Sequence, residues 1–428
     1  MYAGAAGHSQ SPARRGTMAH TIGEIVTNGL CLGCGLCASV AGHDRIAMRW
    51  TTEGRLRPVE TARMDGKTLD LINEVCPGLR VEGMERATAG PGATFDRAFG
   101  YAQALWRGWS GDPEIRFRAA TGGVLTTLAI YLLETKAVEF IAHVKSPKDQ
   151  PLRNVPHVSV TRADVLEGMG SRYAPVAPLL HLMEHLDRGR PFAVVAKPCD
   201  ISAIRTLAKH DPRVDRLIKY LLTISCAGEP DLNFTWRIMK RFPVREEELS
   251  LMRYRGHGCP GPTRFETKDG RVFEASYHDG WGEKQNWHLQ FRCKMCMDPV
   301  GEQADVVAFD VWPGASPTGE DEGFSGIAAR TPRGKALVDA AIRDGVLVVE
   351  RPMTFAEFHD TQIHQVWKKM GVWGRQWGLR LAGQIVPRFP RLRVVRMALA
   401  GGLRHTIKNA RGIFARRKSG GTTEPAVG

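Results

Sequence analysis

The chain has 428 residues, enough for two or three domains, and a formal net charge of +14. No apolar run approaches the roughly 18–20 residues of a membrane-spanning helix, and the N-terminus lacks the hydrophobic region of a signal peptide. We therefore expect a cytoplasmic protein whose nine cysteines stay reduced and serve metal binding or redox chemistry more often than disulfides.

Composition divides the chain into consecutive parts. We expect a disordered leader over residues 1–22, a cysteine-bearing module over 23–88, a body in two parts over 95–178 and 179–355, and a basic extension over 356–428 with a disordered end. Fourteen Lys or Arg and no acidic residue lie between Lys368 and Lys418, so the extension carries the net charge. A neutral body argues against a zinc-containing nucleic-acid-binding protein and against a nucleic-acid partner.

The module carries three cysteines at two-residue gaps, Cys31, Cys34 and Cys37, in "CLGCGLC". This spacing begins the bacterial ferredoxin pattern, in which Gly-containing turns let the thiolates converge on one 4Fe–4S cluster. The Cys-Pro that ends such a run is missing locally, and Cys76 supplies the fourth thiolate. We predict a ferredoxin-like module with one 4Fe–4S cluster. The alternative is a zinc knuckle, for which only His43 is nearby.

The body alternates apolar strands with helices, which predicts an α/β (mixed α+β) fold with a mainly parallel, covered sheet. Three strand patterns lead to residues that can do chemistry: Cys199 after "PFAVVAK", Cys226 in "LIKYLLTISC" and Asp310 in "ADVVAFD". Because carboxyl ends of parallel strands form the ligand crevice of such sheets, we expect these residues to lie together. Asp310 could bind a cofactor hydroxyl or simply end its strand.

A second set of four cysteines follows from counting. Cys293 and Cys296 form a CxxC in "FRCKMCMDP", and Cys199 and Cys226 could face it from their strand ends, which leaves Cys259 over. We predict a second iron–sulfur cluster on these four. A structural zinc with the same ligands and ordinary buried cysteines are the open alternatives.

A Gly-Gly turn, Gly122 and Gly123, opens the apolar helix of "ATGGVLTTLAIYLLE". Free N–H groups and the positive end of a helix suit a pyrophosphate, so the turn is a candidate cofactor site. Thr121 acting as a plain N-cap is the alternative. Arg172 and Tyr173 could contact a phosphate or stack on a ring, or they could form a surface pair.

Several stretches of the body are together similar to one family of redox proteins. The chain resembles the beta subunits of coenzyme F420-reducing hydrogenases and dehydrogenases, a family with relatives such as 7-hydroxymethyl chlorophyll a reductase and a ferredoxin-dependent divinyl chlorophyllide reductase. The similar stretches cover roughly residues 95–350 and are "ATGGVLTTLAIYLLE", "GSRYAP", "AKPCDISAIR", "ISCAGEP", "RCKMCMDPVGEQADVVAFDVW" and "GIAARTPRGKAL".

The resemblance implies an iron–sulfur flavoprotein with FAD in the body and a 4Fe–4S cluster beside it. Members with an N-terminal ferredoxin-like module carry a second cluster. Thr121 stands where the family often has Ser, and Lys197 where a small residue is common, which weakens any transfer of substrate identity. By motif, the body cluster ligands would be Cys199, Cys226, Cys293 and Cys296, and the flavin contacts Thr121, Gly122, Gly123, Ser171, Arg172 and Tyr173.

Clusters that carry one electron and a flavin that carries one or two together predict an oxidoreductase. We expect electrons to pass from a ferredoxin-like donor through the Cys31 cluster, the Cys199 cluster and FAD to a small-molecule hydride acceptor that the sequence does not identify. A non-catalytic electron-transfer subunit of a larger redox complex is the alternative. The sequence does not rank the candidate proton donors, which are Lys197, Asp200, Tyr254 and His257.

The basic extension mixes Trp, Leu, Ile and Val with arginines. This pattern fits a helix on an anionic membrane surface, at the inner membrane, or one that docks onto an acidic partner such as ferredoxin. A solvated tail packed partly on the body is the alternative. A homo-oligomer also stays open.

Overall fold

The computed structural model describes residue 16, residues 18–282 and 287–425, and residue 427. The helices are α1 Ile22–Thr27, α2 Leu36–Ala41, α3 Gly66–Val75, α4 Arg86–Ala89, α5 Pro113–Arg118, α6 Val124–Glu134, α7 Arg162–Glu167, α8 Leu182–Asp187, α9 Pro198–Leu207, α10 Arg213–Leu217, α11 Leu232–Met239, α12 Tyr277–Trp281, α13 Phe291–Lys294, α14 Pro332–Arg343, α15 Phe355–Thr361, α16 Ile363–Met370, α17 Val372–Leu381, α18 Val394–Gly401 and α19 Leu403–Lys418.

The strands form one large sheet and three small ones. They are β1 Ile46–Trp50, β2 Leu56–Glu60, β3 Thr94–Asp96, β4 Gly100–Ala102, β5 Ala104–Ser110, β6 Phe140–Lys145, β7 Val155–Ser159, β8 Phe192–Ala196, β9 Ile218–Ile224, β10 Leu249–Arg253, β11 Thr263–Thr267, β12 Val272–Ala275, β13 Val306–Asp310, β14 Ser325–Ala329 and β15 Leu347–Pro352.

The large sheet has eight strands in the order β15-β5-β14-β13-β9-β8-β6-β7. Its central strands β13, β9, β8 and β6 are parallel to one another, and the outer strands pair antiparallel. The predicted parallel sheet is therefore the centre of a mixed one. Because β13, β9 and β8 are neighbours, Asp310, Cys226 and Cys199 follow at one edge, as expected from the sequence.

Apolar residues cover both faces of this sheet, as a fully buried sheet requires. Phe192 and Val194 of β8 point into one core with α8, α9 and α10, and Ala193 between them points into the other core with α6 and α14. This two-residue alternation is the geometry of an extended strand. It fixes the strand ends, and hence the residues that follow them, in a rigid frame.

The N-terminal module contains α1, α2, α3 and the β1–β2 hairpin. Gly33 and Gly35 adopt positive φ angles of 68° and 82°, and a Cβ on Gly33 would lie 2.4 Å from the carbonyl oxygen of Leu56. Only glycine fits such a turn, which brings the cysteine run against the hairpin. Ala19 and Ile22 are already buried, so the packed module begins within the predicted leader, most of which lies outside the described residues.

The basic extension packs on the rest of the chain through α15 to α19. Thr422 and Glu424 are buried, which corrects the expectation of a disordered end. Glu424 is bound by the fully buried Arg57, with Oε2 2.7 Å from Nε and Oε1 2.9 Å from Nη2. Lys369 and Arg393 similarly pair with Glu302. Within the described residues, no helix has both the length and the apolar character to cross a bilayer.

Candidate functional site

The first thiol tetrad consists of Cys31, Cys34, Cys37 and Cys76, which line one small cavity of the N-terminal module. Cys31 and Cys34 lie in the turn before α2, Cys37 lies in the first turn of α2, and Cys76 follows the last residue of α3. The N–H of Gly33 donates to Cys31 Sγ at 3.3 Å. The predicted ligand set of the module is thus brought together in space.

The second thiol tetrad consists of Cys199, Cys226, Cys293 and Cys296 and is assembled from three segments. Cys199 lies in the first turn of α9, Cys226 follows β9, and the CxxC spans the end of α13. The thiols are close enough to influence one another's pKa. After the larger effect of burial, Cys293 and Cys296 raise the pKa of Cys226, and Cys226 and Cys296 raise that of Cys199. The N–H of Glu229 donates to Cys293 Sγ at 3.3 Å.

Burial raises the pKa of all eight thiols, to about 12 for Cys31 and Cys226 and to about 11 for Cys293. Thiols in such surroundings stay protonated unless a metal replaces the proton. Ionised tetrads are therefore expected only with metal bound.

The spacing of the sulfur atoms bears on which metal the tetrads fit. Among the described His, Cys, Asp and Glu side chains, only His43, His181 and Glu184 bring three ligand atoms within 4.8 Å of one another. No three sulfurs of either tetrad are that close, whereas tetrahedral zinc with Zn–S of about 2.3 Å places its sulfurs about 3.8 Å apart. His43 contacts Glu184 at 2.8 Å, and so has a partner outside the tetrad.

The cavity next to the second tetrad has a volume of about 330 Å³, a size typical of small-molecule sites. The predicted cofactor contacts Thr121, Gly123, Ser171, Arg172, Tyr173 and Asp310 all line it, together with Cys226. The residues predicted as cofactor contacts, apart from Gly122, thus lie around one cavity.

The N-terminus of α6 faces this cavity without a side-chain cap. Gly123 is the N-cap, with φ of 76°, so the alternative of Thr121 as the cap is wrong. The Thr121 hydroxyl lies 3.1 Å from Ser325 Oγ, which also accepts the N–H of Gly122 at 3.0 Å. Gly122 itself does not line the cavity, and α6 keeps its first N–H groups for a ligand.

The guanidinium of Arg172 donates most of its hydrogen bonds to other groups of the protein. Its guanidinium donates to Asn154 Oδ1 at 2.8 Å and to the carbonyls of Met252 and Pro151 at 3.1 Å each. The alternative of a surface pair with Tyr173 is therefore wrong, because the guanidinium of the partly buried Arg172 is held in this network. Its role is to shape the cavity wall.

Arg255, which the sequence analysis missed, is the buried cation of the cavity. It binds Asp310 with both oxygens at 3.1 and 3.2 Å and donates to the Ala120 carbonyl at 2.7 Å and to the Tyr173 hydroxyl at 3.3 Å. It comes from the Gly- and Arg-rich loop after β10, whose composition was the available signal. Asp310 raises the pKa of Arg255 against the opposing effect of burial, so the guanidinium stays charged.

Lys197 lies between two buried carboxylates at the border of the cavity and the second tetrad. Its Nζ is 3.1 Å from Asp200 Oδ2 and 3.3 Å from Glu229 Oε1, and all three residues line the cavity. Burial raises the pKa of both carboxyl groups, and Lys197 opposes this. Among the described residues, Asp200 Oδ1 has no hydrogen-bond partner, which leaves a buried acceptor unpaired.

The other two candidate proton donors do not line the cavity. Tyr254 is buried and its hydroxyl lies 2.6 Å from Thr235 Oγ1. His257 is exposed at a positive φ of 59° and packs its ring against Phe117. The structure thus reduces the four candidates to Lys197 and Asp200.

Arg292 connects the two tetrads. This fully buried guanidinium donates from Nε to the Gly78 carbonyl and from Nη2 to the Pro77 carbonyl, both at 2.8 Å. Pro77 follows Cys76 of the first tetrad, and Arg292 precedes Cys293 of the second. Its charge lowers the pKa of Cys76 and Cys296, against the larger effect of burial.

Comparison with known proteins identifies the class. The family models of the coenzyme F420 hydrogenase/dehydrogenase beta subunit match here, the N-terminal model at residues 105–184 and the C-terminal model at 189–354. Together they cover more than half of the chain. The chain belongs to the coenzyme F420 hydrogenase/dehydrogenase beta subunit family.

The relatives are named oxidoreductases or their subunits. The beta subunit of the F420-dependent formate dehydrogenase of Methanocaldococcus jannaschii is 25% identical over 252 residues, which cover 56% of this chain and 60% of that protein. The coenzyme F420 hydrogenase subunit beta of Methanococcus voltae is 27% identical over 252 residues, which cover 55% of this chain and 80% of that protein. The coenzyme F420-dependent sulfite reductase of M. jannaschii is 25% identical over 350 residues, covering 77% and 49%.

The match therefore spans less than two thirds of the formate dehydrogenase subunit and about half of the sulfite reductase. A chain of the F420-reducing [NiFe] hydrogenase complex from Methanosarcina barkeri aligns in structure with a TM-score of 0.49 at 21% identity, covering 65% of this chain and 95% of that one.

Proposed function

We propose that this protein is a cytoplasmic iron–sulfur flavoprotein oxidoreductase. It carries electrons between a one-electron protein donor of the ferredoxin type and a small-molecule hydride acceptor, using two 4Fe–4S clusters and FAD. The observation that carries the proposal is that the two tetrads and the cavity adjoin one another. Arg292 joins the first tetrad to the second, and Cys226 of the second tetrad lines the cavity.

One feature of the tetrads favours iron–sulfur clusters over zinc, and another supports a bound metal of either kind. Among the described residues, no three sulfur atoms of a tetrad lie within 4.8 Å of one another, a wider spacing than a single tetrahedral ion requires. Arg292 is a buried cation that forms no salt bridge among the described residues, and such a charge is costly unless an anion lies nearby. Metal-bound thiolates on both sides of Arg292 would supply that negative charge, whether the metal is an iron–sulfur cluster or zinc.

The cavity residues suit FAD. The uncapped N-terminus of α6 would bind the pyrophosphate, and Asp310, held by Arg255, would accept a hydrogen bond from a ribityl or ribose hydroxyl. Tyr173 and Trp281 pack edge to face at 4.8 Å and provide an aromatic wall. When bound, FAD supplies the exchange between single electrons and a hydride equivalent.

Lys197 and Asp200 would hold the proton that accompanies hydride transfer. They lie 3.1 Å apart at the cavity border, so one proton can be shared between the ammonium and the carboxylate. Glu229 contacts the same ammonium at 3.3 Å, so the three groups would carry a net charge of −1 when all are ionised and would become neutral on taking up one proton. The pair would thus position a proton beside the reacting atom and keep water from reaching the second tetrad.

A second candidate function is a non-catalytic electron-transfer subunit. The observation that favours it is that several relatives are named as beta subunits of F420-dependent enzymes, which implies partner subunits for those proteins. Their names make coenzyme F420 the first small molecule to test, oxidised as the acceptor and reduced as the donor. Turnover of the isolated chain with either would favour an enzyme, and turnover only with partner subunits would favour the alternative.

Anaerobic purification followed by iron, sulfide and flavin analysis tests the proposal directly. We expect about eight irons, about eight sulfides and one FAD per chain, as two cubane clusters require. Zinc in place of iron, with no flavin, would overturn the mechanism.

A further inference from the structure

Four cations surround the outer side of the CxxC loop of the second tetrad. We call Lys294, Lys368, Arg375 and Arg416 the tetrad-side basic surface. Within the part of the chain that the structure describes, none of the four forms a salt bridge. Lys294 and Arg416 are exposed, and Lys368 and Arg375 are partly buried.

Contacts and charges place the four in one patch. Lys368 Nζ donates to the Ala227 carbonyl at 2.5 Å, directly after Cys226. Arg375 donates to the carbonyl of Lys294, between the two CxxC cysteines. Arg416 adds to the effect of burial in lowering the pKa of Lys294, and burial and Arg416 lower that of Arg375 to about 10.

The extension supplies three of these four cations. Lys368, Arg375 and Arg416 come from α16, α17 and α19, beyond residue 354, where the family match ends. Asn409 of α19 accepts from Arg375 Nε at 2.8 Å, which fixes the two helices together. The neighbouring Lys369 is instead neutralised by Glu302. Cations in salt bridges thus anchor the extension to the body. Beside the second tetrad, the extension presents cations that form no salt bridge among the described residues.

Like charges gathered without counterions repel one another, and an acidic partner relieves that repulsion and gains speed of association. We propose that the tetrad-side basic surface docks a small acidic protein that carries one electron. One electron then leaves the reduced centre of the carrier and enters the second tetrad's cluster; the carrier is oxidised, the cluster is reduced, and no bond or proton moves. This inference rests on the proposed function and places the donor at the second tetrad instead of at the N-terminal module.

A lipid surface is the competing occupant of the extension. The solvent-facing side of α19 carries exposed Leu403 and Ile407 with Arg404, Lys408 and Arg411 between and beside them, which resembles an interfacial helix. Among the described residues, no hydrogen bond or ion pair joins these cations to the CxxC loop. Their position provides a matched control on the same helix.

The test compares Lys294→Glu/Arg416→Glu with Arg404→Glu/Arg411→Glu, which change the net charge equally. Stopped-flow spectroscopy would follow flavin reduction by a photoreduced acidic ferredoxin at low and high salt. We expect the first variant to lose at least about tenfold in the second-order rate constant at low salt and to approach wild type at about 0.5 M salt. The second variant should stay within about twofold of wild type, since its changes lie outside the patch.

Methyl viologen radical serves as a donor that needs no docking surface and should reduce both variants as fast as wild type. Equal ferredoxin rates in all three proteins, or a larger loss in Arg404→Glu/Arg411→Glu, would overturn the docking surface while normal iron and flavin contents leave the proposed function intact. Flotation with phosphatidylglycerol vesicles that depends on Lys294 and Arg416 would also overturn it. Wild-type protein without iron or flavin would overturn the proposed function and this inference with it.

Discussion

The first tetrad takes its cysteines from one module, whereas the second collects them from α9, from the loop after β9 and from α13. The first is enclosed by apolar side chains such as Ile25 and Ile72. The second tetrad lies next to the ion pairs of Lys197, and Lys368 donates to the carbonyl of Ala227 directly after Cys226. The same ligand chemistry is therefore placed in a largely apolar cavity bordered by Arg57 and Arg292, and in a site with more charged neighbours.

This difference has an electrostatic consequence. A cluster gains negative charge when it is reduced, and nearby positive charge stabilises that state. Lys368 acts on Cys226, Cys293 and Cys296, whereas Arg57 near Cys31 is already paired with Glu424. Arg292 acts on one cysteine of each tetrad, and Lys197 partly offsets the carboxylates Asp200 and Glu229 beside the second. We expect the second cluster to be the easier one to reduce.

Removing one tetrad at a time should produce the largest effects. Cys226→Ser is expected to lose about four of eight irons and to slow electron transfer to the acceptor at least about 100-fold. Since Cys226 lines the cavity, the flavin absorption should change as well. Cys76→Ser should also lose about four irons but keep the flavin spectrum. Iron analysis with visible spectroscopy would check both variants, and loss of all iron in either one would show that the tetrads do not load independently.

Glu424→Gln tests the buried cation beside the first tetrad. It leaves the fully buried Arg57 without its carboxylate, which should destabilise the protein by about 3–5 kcal/mol. Denaturant unfolding followed by tryptophan fluorescence would measure this. The half-exposed pair of Arg107 and Glu350 provides the control, since Glu350→Gln should cost less than about 1 kcal/mol. Equal costs for the two variants would mean that the C-terminal end does not hold the module.

The two tetrads also differ in how far the sequence predicts them. The spacing of Cys31, Cys34 and Cys37 is local, so the first tetrad follows from a motif and one added cysteine. The strand ends before Cys199 and Cys226 could be predicted because apolar runs mark β8 and β9 and parallel neighbours end at one edge.

The charged surroundings of the tetrads could not be predicted. Arg57 and Glu424 pair across 367 positions, and Arg292 reaches Gly78 across 214. No periodicity or spacing encodes such contacts, because they depend on how the extension and the module pack on the body. Arg255 had a compositional signal in its loop, but its pairing with Asp310 needed the folded chain.

Lys368→Gln should change the midpoint potential of one cluster and not that of the other. Removing this charge is expected to lower the midpoint potential of the second cluster by the equivalent of about 1–2 kcal/mol and to leave the first unchanged. A redox titration monitored by electron paramagnetic resonance would resolve the two signals. Arg411→Gln removes an equal charge from the outer side of α19 and should shift neither. A shift of both clusters in Lys368→Gln would show that the charge environment is shared.

His143 lines the cavity that the second tetrad borders, and it provides a smaller test through the pH dependence of stability. Its ring lines the cavity, with Nε2 2.7 Å from Ser159 Oγ, and burial followed by the charge of His157 lowers its pKa to about 4. An unfolded histidine takes up a proton near pH 6.5, so the unfolded chain binds more protons between about pH 6.5 and 4. The stabilisation from neutral His143 is thus complete above this window and declines as the pH falls through it.

One proton corresponds to about 1.4 kcal/mol per pH unit, so His143 should account for about 2 kcal/mol of the stability lost between pH 6.5 and 5. Unfolding free energies of wild type and His143→Gln over this range would measure its share, with His185, whose pKa burial also lowers to about 4, left in place in both. The variant should show a flatter pH dependence, and its flavin should persist to lower pH while the first tetrad's iron content follows wild type. Parallel curves for the two proteins would mean that His143 takes up its proton at the same pH in the folded and unfolded chains, and that the cavity beside the second tetrad tolerates a positive charge in addition to that of Arg255.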